Sequence, residues 1–81
     1  MIKKLINLKL EVKAEVIALD STNQLVLNYL ASVGIVIGAK VILVSKGVFG
    51  MTPFAVLIDN NENMIMLRAS EASLVVVREF L

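Results

Sequence analysis

The stretch Ser21-Thr22-Asn23-Gln24-Leu25-Val26-Leu27-Asn28-Tyr29-Leu30-Ala31-Ser32-Val33-Gly34-Ile35-Val36-Ile37-Gly38-Ala39-Lys40-Val41-Ile42-Leu43-Val44 decides how the chain is read. It reads as a helix, a glycine stop and a strand. Ser21 is suited to the N-cap, with Gln24 three residues on completing a capping box. Leu25, Tyr29, Leu30 and Val33 recur at helical spacing, so they are expected on one buried face. Gly34 stands where a helix end favours a left-handed residue without a Cβ. Gly38 then opens an apolar, β-branched run beginning at Val41, as a strand would be.

Working outward, the N-terminal side holds a lead-in, Met1 to Leu10, whose leucines are expected to cap one end of the core. Glu11 to Leu19 alternates, with Val12, Ala14, Val16 and Ala18 on one face, and reads as the first strand. The strand after the helix is expected from Ala39 to Ser45. Lys46 to Pro53 carries Gly47, Gly50 and Pro53 and reads as a loop. Phe54 to Ile58 and Met64 to Arg68 read as a hairpin around the polar turn Asp59-Asn60-Asn61-Glu62-Asn63. Ala69 to Ala72 suits one 3₁₀ turn, and Ser73 to Glu79 reads as the last strand. The expectation is a mainly β domain spanning 1–81, with five short strands and one helix between the first and second. Tight turns in so short a chain favour a closed or nearly closed barrel, which leaves few free edges.

The chain has 81 residues, of which 58% are hydrophobic, above the roughly 45–50% of ordinary domains. A chain this short cannot hide all of that surface, so an apolar contact face is a competing reading to a fully used core. The uncharged stretch Ser21 to Ala39 contains too many polar residues and glycines to span a membrane. Lys9, Glu11 and Lys13 interrupt any signal-peptide core, so a cytoplasmic protein is expected. A net charge of +1 gives no field to attract nucleic acid.

The chain contains neither cysteine nor histidine. Disulfides, thiolate metal sites and the commonest general base are therefore excluded. No cofactor and no metal-ligating residue is assigned. Asp59, Asn61 and Asn63 match half of a calcium loop, but Met64 and Ser70 stand where glycine and glutamate are required. Arg68 and Glu71 read as a surface ion pair. No residue is assigned as catalytic. Val48, Phe49, Met51 and Phe54 cluster where glycines and proline turn the chain, and they are the candidate partner-binding residues. The opposing reading is that they seal a barrel end.

The ordered set of motifs resembles the FeoA family of small cytoplasmic proteins associated with bacterial ferrous iron transport. Leu5-x-x-Leu8 followed by Ala14-x-Val16 is similar to the family's opening. Leu30-x-x-Val33-Gly34-Ile35-x-x-Gly38-x-x-Val41 is similar to its central signature. Gly50 with Pro53 resembles its G-x-P loop, and Leu67-Arg68-x-x-Glu71-Ala72-x-x-Val75-x-Val77 its closing strand. The chain departs from the pattern at Leu10-Glu11, where the family has Pro-Gly, at Val33, and at Thr52, which lengthens the loop.

The resemblance implies an SH3-like barrel with a helical insertion, no catalysis, and a family-level link to transition metal ions. It implies a partner in the cytoplasmic part of the membrane GTPase iron transporter, with the chain held beside the inner membrane through that partner. Self-association stays open. The same domain type occurs in metal-dependent repressors of the diphtheria-toxin-repressor class, so the alternative is a regulatory domain serving such a repressor in trans.

Overall fold

The computed structural model describes residues 1–47, 53–59 and 63–80. Six strands form one antiparallel sheet: β1 Ile2–Lys4, β2 Lys13–Leu19, β3 Lys40–Ser45, β4 Phe54–Ile58, β5 Asn63–Leu67 and β6 Val75–Glu79, in the order β1-β6-β2-β3-β4-β5. Helix α1, Gln24–Ser32, lies between β2 and β3, and a single-turn helix α2, Ala69–Ala72, lies between β5 and β6.

Three expectations change. The lead-in contains a strand, β1, followed by a 3₁₀ turn at Leu5–Asn7. Its lysines hid it: Lys3 and Lys4 alternate around no apolar row, and what makes a strand of Ile2–Lys4 is its register with Val76 to Arg78 of β6. The count is therefore six strands rather than five, and α1 follows the second. The sheet is open, since β1 and β5 end it without pairing to each other among the described residues. Ala69–Ala72 is α-helical instead of 3₁₀, and the Glu71 carboxylate accepts from the Arg68 backbone N–H at 2.8 Å, satisfying one free donor of its first turn.

The core lies on one face of the sheet. Ala14 and Val16 of β2, Val41 and Leu43 of β3, Phe54, Val56 and Ile58 of β4, Leu67 of β5, and Val75 and Val77 of β6 are buried at the spacing of two that a strand imposes. Leu5 and Leu8 close the core as expected, whereas Leu10 is exposed.

The start of α1 also differs. Its N-cap is Asn23, whose side chain accepts from Leu25 N–H at 3.0 Å. Ser21 Oγ instead accepts from Asn23 N–H, and Gln24 bonds Asn28 on the next turn, so the Ser21–Gln24 box does not form. The buried face is Val26, Leu30 and Val33. Leu25 is 80% exposed and Tyr29 42%.

The helix end is as read. Gly34 has φ +95°. Ile35 N–H donates to the Leu30 carbonyl at 2.8 Å, and Gly34 N–H to Ala31 at 3.1 Å. This is a Schellman arrangement, with buried Leu30 and Ile35 forming the apolar pair that accompanies it. Gly38, at φ +97°, turns the chain again: Ala39 N–H returns to the Val36 carbonyl, and Gly38 N–H donates to Val16 of β2. Two glycines thus carry the chain from the helix into β3.

Candidate functional site

Strand β5 and the C-terminal half of α1 face each other across two open clefts. One, of about 460 Å³, is lined by Tyr29, Pro53, Met66, Leu67, Arg68 and Glu71. The other, of about 430 Å³, is lined by Ala31 to Gly34 and Asn63 to Ile65. Together they follow the whole of β5. Met64 and Met66 share the outer face of the strand and are 58% and 57% exposed. With Leu25 and Tyr29 of α1 they are unpaired apolar surface of the kind that partners cover. The signal was in the sequence: the alternation Met64-x-Met66 puts two apolar residues on the face opposite Ile65 and Leu67. A chain read as a closed barrel gave that face no use.

No group of three or more acidic, histidine or cysteine side chains suited to a metal occurs among the described residues. Three of the acidic side chains are held by contacts within the chain. Asp20 accepts from Lys4 Nζ at 2.7 Å, and the hydrogen bond and charge of Lys4 hold its carboxyl below its ordinary value of 3.8. Glu79 lies 3.5 Å from Lys3. Glu71 meets the Arg68 main chain, so the expected Arg68–Glu71 side-chain ion pair is replaced by a helix-capping contact.

Phe54 is corrected: it is 1% exposed within β4 and belongs to the core, because strand alternation from Val56 and Ile58 turns it inward. Val48, Phe49 and Met51, like Gly50 of the G-x-P motif, lie outside the described residues. Of the signature residues, Gly34 and Gly38 hold positive φ, while Ile35, Val41, Leu67 and Ala72 are core. Pro53 and Arg68 are exposed in the first cleft. Asp59 begins the hairpin turn with φ +55°.

A zinc-bound FeoA from Stenotrophomonas maltophilia, described as a prokaryotic SH3 domain protein, is 32% identical and superposes with a TM-score of 0.77, covering 94% of this chain and 89% of that one. A FeoA-like protein from Clostridium acetobutylicum is 26% identical, with a TM-score of 0.81 over 96% of this chain and 86% of that one. A manganese-dependent transcriptional repressor in complex with manganese is 19% identical, with a TM-score of 0.86 over 98% of this chain but 37% of its own, a likeness of fold alone. No curated protein matches the chain. The architecture is thus that of a small SH3-like module. The FeoA domain model matches residues 3–79, and the chain belongs to that family.

Proposed function

We propose that the chain is a non-catalytic accessory protein of bacterial ferrous iron uptake, acting in the cytoplasm as an interaction module for the membrane GTPase iron transporter. The FeoA family match over nearly the whole chain carries the reading. The exposed apolar residues beside the β5–α1 clefts support it, since a module of this kind works by contact. No helix among the described residues is long and apolar enough to cross a membrane; in this proposal the partner holds the chain beside the inner membrane. Val48, Phe49 and Met51, set between Gly47 and Pro53 in the sequence, belong to the same proposal as further contact residues.

The test is to delete the gene in its native host and follow ferrous iron uptake while the tagged transporter is recovered from membranes. The wild-type chain should restore uptake and co-purify with the transporter. Leu25→Ser and Phe49→Ser should lower both. Full uptake in the deletion strain would overturn the proposal.

The fold likeness to a metal-dependent repressor favours one second reading, a regulatory domain serving such a repressor in trans. Recovery of a repressor in place of the transporter would select it.

A further inference from the structure

The two edges of the sheet are built differently. Edge strand β1 has three residues, and two of them are lysines engaged by Glu79 and Asp20. Short, lysine-bearing edges resist pairing with another chain. Edge strand β5 has five residues, Asn63-Met64-Ile65-Met66-Leu67, with no charge, no proline and no shift in its register with β4. It lacks the lysines, proline and bulge that protect other edges, and α1 faces it only across the two open clefts.

The main-chain direction of that edge follows from one bond. Asp59 N–H donates to the Lys40 carbonyl at 2.9 Å, in register with Val41 opposite Ile58. Hydrogen-bonded pairs alternate along antiparallel strands. Leu57 therefore turns its N–H and C=O toward β3, and Val56 and Ile58 turn theirs toward β5. Opposite them, Ile65 and Asn63 bond β4. The groups of Met64 and Met66 face away from the sheet, and no strand among the described residues pairs with that side. The residues whose main-chain groups face away from the sheet, without a strand partner among the described residues, are thus also the ones with exposed apolar side chains.

We infer that β5 is a self-association edge, and that a second copy of this chain adds its own β5 antiparallel to it about a two-fold axis at Ile65. This register sets Met64 of each copy opposite Met66 of the other. Each such pair exchanges N–H···O=C bonds in both directions, and the methionines cover one another on the outer face. The cross-strand row Ile42–Leu57–Met64 then continues into the second copy. The strand is complementary to itself because it is uncharged, so no like charges meet. The contact is closed and isologous. Its area is small: two five-residue edges with their methionines fall short of the ~1,200 Å² of stable complexes. The dimer is therefore weak and forms at high local concentration.

Sedimentation equilibrium of the full chain from about 10 μM to 1 mM should show a reversible monomer–dimer equilibrium, in the weak range expected of small interfaces. Across the same range, hydrogen exchange at the Met64 and Met66 amides should slow several-fold while that at Ile65 stays constant. Met64→Pro removes an outward N–H and leaves the bonds to β4 in place, so it should abolish dimerisation. Met66→Lys puts a charge on the edge and should do the same, which covers the case of a proline variant that does not fold. A purely monomeric chain at the highest concentration would overturn the inference. Dimerisation retained in a folded variant, or concentration-dependent protection at Ile2 and Lys4 instead, would do so equally.

Discussion

The amide of Ile35 reaches back to the carbonyl of Leu30 across 2.8 Å, and the residue between helix and strand that permits it is Gly34 at φ +95°. A Cβ at Gly34 would lie 3.6 Å from the Ile58 side chain, an ordinary contact, so the obstacle is backbone strain and not collision. Gly34→Ala should destabilise by about 1–2 kcal/mol. Gly34→Val, with branches directed at Ile58, should cost at least as much, and both are read by thermal melts. An alanine variant that melts with the parent would remove Gly34 from its left-handed role.

Asn23 holds the start of α1, so Asn23→Ala should cost ~1 kcal/mol. Ser21→Ala should cost less, because the Ser21 hydroxyl serves only the N–H of Asn23 before the helix begins. Gln24→Ala should be nearly neutral, as its side chain is exposed on the surface with Asn28. Denaturant midpoints of the three variants test this ranking.

Phe54 and Met66 are opposite cases in neighbouring strands. Phe54→Ala empties a fully buried site and should cost ~3–5 kcal/mol. Met66→Ser alters a side chain that is more than half exposed and should stay within ~0.5 kcal/mol in dilute solution. Chemical unfolding separates them.

Asp20 titrates below its ordinary value because it is bonded to Lys4. A carboxylate with a lowered folded-state pKa contributes stability above its unfolded pKa and loses it as pH falls through the folded one. The advantage of wild type over Asp20→Asn should therefore be constant near neutrality and fade below about pH 3.8. The pair is exposed, so added salt should shrink the advantage as well. NMR titration of the Asp20 carboxyl checks the direction of the shift.

The chain should hold divalent metal weakly by itself. It has no thiolate or imidazole to offer, and its described carboxylates do not converge. Calorimetric titration with ferrous iron or zinc should show no site tighter than roughly micromolar, since such metals bind strongly through nitrogen and sulfur ligands. A stoichiometric nanomolar site would contradict this.

The parts of this fold legible in the sequence are those set by local chemistry. Gly34 and Gly38 mark their turns because few other residues tolerate positive φ. Val56 to Ile58 and Val75 to Val77 announce strands by composition. What was hidden depends on distant partners. Ile2–Lys4 is a strand through β6, more than seventy residues on. Spacing alone places Leu25, Tyr29, Leu30 and Val33 within one broad arc of α1, and only the packing against the sheet selects Val26, Leu30 and Val33 and leaves Leu25 and Tyr29 outside. Phe54 adjoins the loop in sequence, yet strand alternation claims it for the core. The free β5 edge was masked by the expectation of closure, which adjacent strand counts cannot decide.

The pairing of β1 with β6 sets an order of events during synthesis. Met1 accepts from Glu79 N–H, and the only strand beside β1 among the described residues is the last one made. Until β6 has been translated, β1 has no ladder to join, β2 lacks the neighbour on one of its sides, and Leu5 and Leu8 have no complete core to enter. The nascent chain must carry these apolar residues in water while α1, β3 and the β4–β5 hairpin assemble. The lysines of β1 then act as a solubilising guard before they act as ion-pair partners.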